Sequence, residues 1–260
     1  MLFALLLSFG VFTNTVAAVA PLPPLPQSCY IKYPTTDRKV VSCSGTLVGK
    51  KLVATAAHCF KDGPKAIKGD VFVGCGFRGN RSINEFLFEE KFVATGVRLD
   101  WDEQETRTDF AFLRLNKGAA RIPPLGVITD LKQFKEDFTA PSQIIFGDVN
   151  LNPSIECRFS GYGYDSNRKR NWFVTSDQSP ENGLRGYVGD GVLVLNGYGE
   201  MIGRLRHGDS GGPLYCRKNA SSEWLLVAIL SMGDETTTTH WATTASDKFR
   251  RFFYWAKNIW

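Results

Sequence analysis

The chain is poor in the residues that most often carry chemistry. Of its 260 residues only three are histidines, His58, His207 and His240, and only three are methionines. None of its six cysteines stands three positions from another, so the C-x-x-C spacing of a zinc site is missing. The acidic run Asp100 to Glu105 lacks the ligand spacing of an EF-hand and reads as a solvated loop. Neither a metal nor an organic cofactor is expected. No apolar run reaches the roughly 20 residues that a membrane-spanning helix needs, so no stable membrane span is expected. Basic clustering is weak as well. The formal charge of +5 comes from 31 basic and 26 acidic side chains spread along the chain, which excludes a nucleic-acid footprint. No internal repeat stands out.

The amino-terminal residues do carry a pattern. MLFALLLSFGVF is a short apolar run, and TVAAVA supplies small residues after it. Together they predict a secretory signal peptide over residues 1–18, cut after Ala18, although no Lys or Arg precedes the apolar core. A buried strand or an uncleaved anchor is the alternative. PLPPLP at 21–26 then makes residues 19–27 an extended, proline-rich lead-in. An even number of cysteines behind such a segment points to three disulfides and an oxidising compartment. The expected location is secreted or extracellular, or periplasmic in a bacterium. Asn80-Arg81-Ser82 and Asn219-Ala220-Ser221 match the N-glycosylation pattern.

Short apolar runs alternate with turn residues through most of the chain. Leu52-Val53-Ala54, Val71-Phe72-Val73, Phe110 to Leu115, Val192 to Leu195 and Leu225 to Leu230 are examples. Gly, Asp and Asn sit between many of them, as at Asp190-Gly191 and Asn196-Gly197. The spacing predicts an all-β fold, sandwich or barrel. Arg121 to Asp148 reads as a connection between two halves, with Leu131 to Lys135 as a short helix. The carboxyl end has a helical period, with Phe249, Phe252, Phe253, Ala256, Ile259 and Trp260 on one stripe. Ser246 is placed to cap it, and Asp247 suits its first turn. Such a basic, aromatic helix is expected to dock on the β structure.

The segment most suggestive of chemistry is HGDSGGPLYC, residues 207–216. Ser210 sits in a glycine-rich turn and would need a base to become a nucleophile. His58 ends the run Leu52-Val53-Ala54-Thr55-Ala56-Ala57, and a Cys59–Cys43 disulfide would pin it to the preceding strand. A third group should orient the imidazole. Asp109, at the mouth of the apolar run Phe110 to Leu115, is the best candidate, because a carboxylate buried there demands hydrogen-bond partners. Asp100 and Asp102 are rivals that solvation already explains.

TAAHC, TDFAFLRL and GDSGGP, in the chain order His, Asp, Ser, resemble the chymotrypsin/trypsin family of serine proteases. Cys157-Arg158-Phe159-Ser160-Gly161-Tyr162-Gly163 and Ser231-Met232-Gly233 resemble two further family segments. The resemblance covers about residues 28–260 and implies an all-β fold of two antiparallel six-stranded β-barrels with a C-terminal α-helix. The first barrel would occupy about 28–120, a linker about 121–143, the second barrel about 144–245 and the helix 246–260. It implies a serine endopeptidase with His58, Asp109 and Ser210 as catalytic residues and the amides of Gly208 and Ser210 as the oxyanion hole. Ser231, Met232 and Gly233 would bind substrate backbone. Arg204, at the floor of the specificity pocket, would favour acidic side chains. The resemblance also implies a Cys157–Cys216 disulfide, and Cys29–Cys75 is the pair then left over. Protein or peptide substrates, a protein inhibitor as a further partner, and a monomer are implied.

Two departures from the family pattern matter. No I-V-G-G-like segment is present to supply an amine for Asp209. Either the amine of Val19, released by signal cleavage, or one of Arg204, Arg206 and His207 is then expected to answer that carboxylate. The cysteine pair that braces the family's pocket is missing too, with Arg206 at one of its positions. These departures leave a second reading open, a protease-fold binding module without activity.

Overall fold

Runs rich in β-branched and aromatic residues, broken by Gly, Asp and Asn, favour strands over helices. In the first half six of them form a closed barrel: β1 (Ser28–Pro34), β2 (Val40–Gly49), β3 (Leu52–Thr55), β4 (Val71–Ser82), β5 (Glu85–Asp102) and β6 (Glu105–Leu115). Their order around the barrel is β1-β2-β3-β6-β5-β4, so closure falls between β1 and β4. That seam is also covalent. The register sets Cys29 opposite Cys75, and the two form a disulfide with Cα atoms 4.2 Å apart. Ile31, Leu47, Val53, Val73, Phe92 and Phe112 point inward and are almost wholly shielded from water. The computed structural model describes residues 24–60, 67–82, 85–102, 105–138, 148–150, 155–163, 173–177, 185–189, 192–196, 206–233 and 238–260. The expected signal peptide, and the lead-in up to residue 23, lie outside those residues.

The second half is built on β7 (Gly126–Val127), β8 (Asp148–Asn150), β9 (Glu156–Gly161), β10 (Phe173–Asp177), β11 (Arg185–Gly189) and β12 (Val192–Asn196). It is completed by β13 (Pro213–Arg217), β14 (Leu225–Gly233) and β15 (Thr238–Thr243). These make one nine-stranded sheet, ordered β10-β9-β13-β14-β15-β12-β11-β8, with β7 added in parallel to β14. Two β-sheets and a carboxy-terminal helix match the expected fold class. The second sheet holds more strands than the six expected of it. On β9 and β13, Cys157 and Cys216 stand directly opposite and are bonded, Cα to Cα 4.1 Å. Strands flank Asp190-Gly191 as a hairpin should, since Gly189 pairs with Val192. The expected short helix is α1 (Leu131–Phe138), and Asp130 caps it by accepting the Gln133 amide at 2.9 Å.

The acidic run expected as a solvated loop is instead part of a long hairpin. β5 continues to Asp102, which pairs with Glu105 of β6. The carboxyl-terminal stripe forms α2 (Asp247–Ile259). Ser246 Oγ accepts the Phe249 amide at 3.1 Å, and Asp247 pairs with Arg250 at 2.7 Å. Phe249 packs edge-on against Phe110 at 5.1 Å and against Phe112 at 5.5 Å, so the helix closes one side of the barrel core. Ile259 departs from the expected stripe and is 58% exposed. Trp260, one residue on, lies beside Gly96 of β5 and covers the barrel there instead. Among the described residues, no helix is long and apolar enough to cross a membrane.

The halves meet through polar and aromatic contacts. Ser28 Oγ lies 2.6 Å from Ser160 Oγ, and the Tyr162 hydroxyl donates to the Ser28 carbonyl at 3.2 Å. Tyr30, Phe86 and Phe88 of the barrel enclose the Tyr162 ring.

Candidate active site

β3 ends at Thr55, where the small buried residues Ala56 and Ala57 let the chain turn tightly. A single 3₁₀ turn over Ala57–Phe60 follows and carries His58. It is held from both ends. Cys59 is bonded to Cys43 of β2, and the Tyr33 hydroxyl donates to the Cys59 carbonyl. The imidazole is only partly enclosed, its side chain 28% exposed. β3 pairs with β6 so that Thr55 faces Ala111. Asp109, two residues before Ala111, therefore lies beside the turn. Its carboxylate is fully buried and receives three donors. The His58 amide reaches Oδ1 at 2.7 Å, while His58 Nδ1 and the Ser231 hydroxyl both reach Oδ2 at 2.6 Å. Those bonds offset the cost of burying the charge. They also place the imidazole proton on Nδ1, which leaves Nε2 as the basic nitrogen. In the register of β5 and β6, Asp100 stands opposite Phe110 and Asp102 opposite Glu105.

Ser210 comes from the other half. Its turn is seated on the end of β3 and its neighbour β2. The Ser210 carbonyl accepts the Ser44 amide at 2.8 Å and lies 3.9 Å from the Cys59 sulfur, next to His58. Gly211 makes this approach feasible. Its φ is +82°, and a Cβ there would stand 2.2 Å from Thr55 Oγ1 and 2.3 Å from the Ser44 carbonyl. Gly208 has a φ of +101°. Within the turn Asp209 donates to the Arg206 carbonyl, Gly211 to that of Leu230 and Gly212 to that of Asp209. Among the described residues, the amides of Gly208 and Ser210 meet no protein acceptor. Two unpaired amides two residues apart, on a glycine-lined turn, can stabilise an oxyanion.

Asp209 points away from the turn into the second half and is wholly buried. It accepts the amides of Gly163 and Arg206, each at 2.7 Å. Burial pushes its carboxyl up to about 7, and the two amides and the Arg206 charge offset only part of that. Of the groups expected to answer Asp209, Arg206 does so through its main-chain amide and its charge, His207 is exposed while Asp209 is buried, and Val19 and Arg204 lie outside the described residues. Gly161 and Gly163 make room for the carboxylate, since a Cβ on either would stand within 2.8 Å of it.

Ser231, Met232 and Gly233 end β14. The register slips between Leu230 and Met232, opposite Trp241 and His240, so Ser231 bulges out of the ladder towards Asp109. Sequence reasoning placed this serine at the substrate backbone and missed its carboxylate partner. It also missed Ser44, which a sequence marks only as a small polar residue after a cysteine. Arg204 lies outside the described residues.

Comparison with known proteins identifies similar chains. A trypsin-like protease of Streptomyces glaucescens is 26% identical over 207 residues, spanning 78% of this chain and 69% of its own length. Coagulation factor XI of Bos taurus is also 26% identical, over 205 residues, but the chain spans only 29% of that protein. The solved structure of HL collagenase superposes with a TM-score of 0.62 over 91% of this chain and 95% of its own, at 15% identity, a likeness of fold. The Trypsin family model matches residues 26–255, nearly all of the described chain, and the protein belongs to that family of serine proteases.

Proposed function

We propose that the chain is a secreted serine endopeptidase in which Asp109, His58 and Ser210 act as one unit. The observation that carries this reading is the meeting of the two halves. A buried aspartate holds His58 Nδ1 at 2.6 Å, and the Ser210 turn is hydrogen-bonded to the strand beside it. His58 Nε2 takes the Ser210 hydroxyl proton as Oγ attacks the scissile carbonyl. The amides of Gly208 and Ser210 hold the oxyanion. His58 then gives the proton to the leaving amine, an acyl-enzyme remains, and water activated by His58 hydrolyses it. The protease unit runs over residues 28–260 and acts as a monomer on proteins or peptides. The end of β14 at Ser231, Met232 and Gly233 offers main-chain groups to the substrate, and Arg204 selects acidic side chains.

A fluorophosphonate probe tests the central claim. It is expected to label the protein once, at Ser210, and to leave Ser210→Ala unlabelled. Failure to label the intact protein would favour the inactive binding module. A peptide-library cleavage profile of Arg204→Ala against the parent tests the acidic preference, and an unchanged profile removes it.

A further inference from the structure

Ser44 of β2 is fully buried, and each of its polar groups is engaged. Its hydroxyl donates to the Gly208 carbonyl at 2.9 Å and accepts the Tyr162 amide at 3.0 Å. Its amide donates to the Ser210 carbonyl at 2.8 Å, and its carbonyl accepts the Thr55 hydroxyl at 2.7 Å. One residue of the barrel thus grips the carbonyls on both sides of Asp209 and ties them to the strand that leads to His58.

The consequence follows from the peptide planes. The plane between Gly208 and Asp209 is held at one end by Ser44 Oγ and at the other by the Asp209 amide on the Arg206 carbonyl, 3.0 Å. The plane carrying the Ser210 amide is held through the Asp209 carbonyl by Gly212, 2.8 Å. The plane carrying the Gly208 amide joins this frame through Gly208 on one side and, on the other, through His207, which follows the Arg206 carbonyl that accepts the Asp209 amide. A glycine at φ +101° has little intrinsic barrier to rotation on either side. The grip on its carbonyl restrains its amide from the Gly208 side. The Asp209 carboxylate, bonded to two main-chain amides, restrains the turn from the opposite face.

We infer that Ser44 is a positioning residue for the oxyanion hole: its hydroxyl, shared between Tyr162 and Gly208, fixes the turn so that the Gly208 and Ser210 amides converge. The inference rests on the proposed reading of Ser210 as nucleophile. An oxyanion forms only during reaction, so loosening its donors lowers kcat and leaves ground-state binding alone.

The test compares the parent, Ser44→Ala and Ser44→Thr, with rates counted per folded molecule. Ser44→Ala is expected to lose about 10–10²-fold in kcat, less than the loss of a whole donor, with KM unchanged within about twofold. It should bind a peptide aldehyde, which forms a hemiacetal oxyanion, more weakly by a similar factor, and bind a product peptide equally well. Ser44→Thr keeps the hydroxyl and should recover most of the rate. If Ser44→Ala does not fold, Ser44→Gly is read in its place with the same expectation. An unchanged kcat, or a change in KM alone, overturns the inference while fluorophosphonate labelling of the parent still upholds Ser210 as nucleophile. A parent that does not label removes both.

Discussion

Ser231 and His58 donate to the same oxygen of Asp109, each at 2.6 Å, one from either half of the molecule. The carboxylate is therefore held by the second sheet as well as by its own barrel. Replacing Asp109 with Asn should lower kcat by about 10⁴-fold, because the amide favours the wrong imidazole tautomer. Ser231→Ala removes one hydrogen bond to a charged group and should cost about ten- to hundredfold in kcat. KM decides what Ser231 does. A side chain committed to Asp109 leaves KM unchanged, whereas a raised KM with normal kcat would return the serine to the substrate.

Asp209 gives stability a pH dependence of defined sign. Burial raises its carboxyl to about 7, from an unfolded value near 4. The folded state thus binds the proton more tightly. The stabilisation is complete below about pH 4, is lost as pH rises through 7, and changes no further above it. Thermal unfolding of the parent should fall by several degrees more between pH 5 and pH 8 than that of Asp209→Asn, at about 2–4 °C per kcal/mol for this size. An ammonium group docked on the carboxylate, such as the amine of Val19, would depress its pKa and reverse the slope. Equal slopes in the two proteins would dismiss the raised carboxyl.

Glu156, the first residue of β9, joins two arginines of the second sheet. Arg158 Nε and Arg217 Nε each lie 2.7 Å from one of its oxygens, and their guanidinium groups stand 4.9 and 4.5 Å from the Trp224 ring. Burial acts to raise the Glu156 pKa, but the paired guanidinium groups outweigh it and hold the carboxyl below its usual range. The stabilisation is present above the unfolded pKa of about 4.3 and is lost as pH falls through the folded value. Glu156→Ala leaves two cations crowded on one face and should cost about 3 kcal/mol in urea unfolding. If the loss is below about 0.5 kcal/mol, the cluster is only a surface ion pair.

The chemistry-bearing residues were legible because their types and local settings are unusual. A histidine after a run of small residues, an aspartate heading an apolar strand and a serine among glycines each ask for a partner. The contacts between the halves were not legible. Ser44 reaches residues 162, 208 and 210, and no periodicity carries such separations. Ser231 turns to Asp109 through a bulge, and a one-residue slip cannot be read from alternation. The run from Asp100 to Glu105 looked like a loop because charge argues for solvent, yet β5 and β6 keep their ladder as far as Asp102 and Glu105. Helix α2 was legible in its cap and its stripe up to Ala256, where packing follows the helical period. Beyond that, the docking of Trp260 on Gly96 sets the direction and Ile259 turns outward.

That helix yields the last prediction. Phe249 is fully buried between α2 and β6, touching Phe110 and Phe112, and Phe110 follows directly on Asp109. Phe249→Ala removes a ring from a packed cluster and should cost about 3–5 kcal/mol, lowering Tm by about 10 °C. Ser246→Ala loses only the cap and should cost about 1 kcal/mol. The Phe249 amide, which is the cap's donor, survives in Phe249→Ala, so the double variant should be near the sum of the two. Well below its Tm, Phe249→Ala should keep kcat within about threefold, because three donors still hold the Asp109 carboxylate. A Phe249→Ala protein that kept its Tm would mean the helix does not close the barrel. One that kept its fold but lost kcat by orders of magnitude would make the aromatic cluster a support of Asp109 itself.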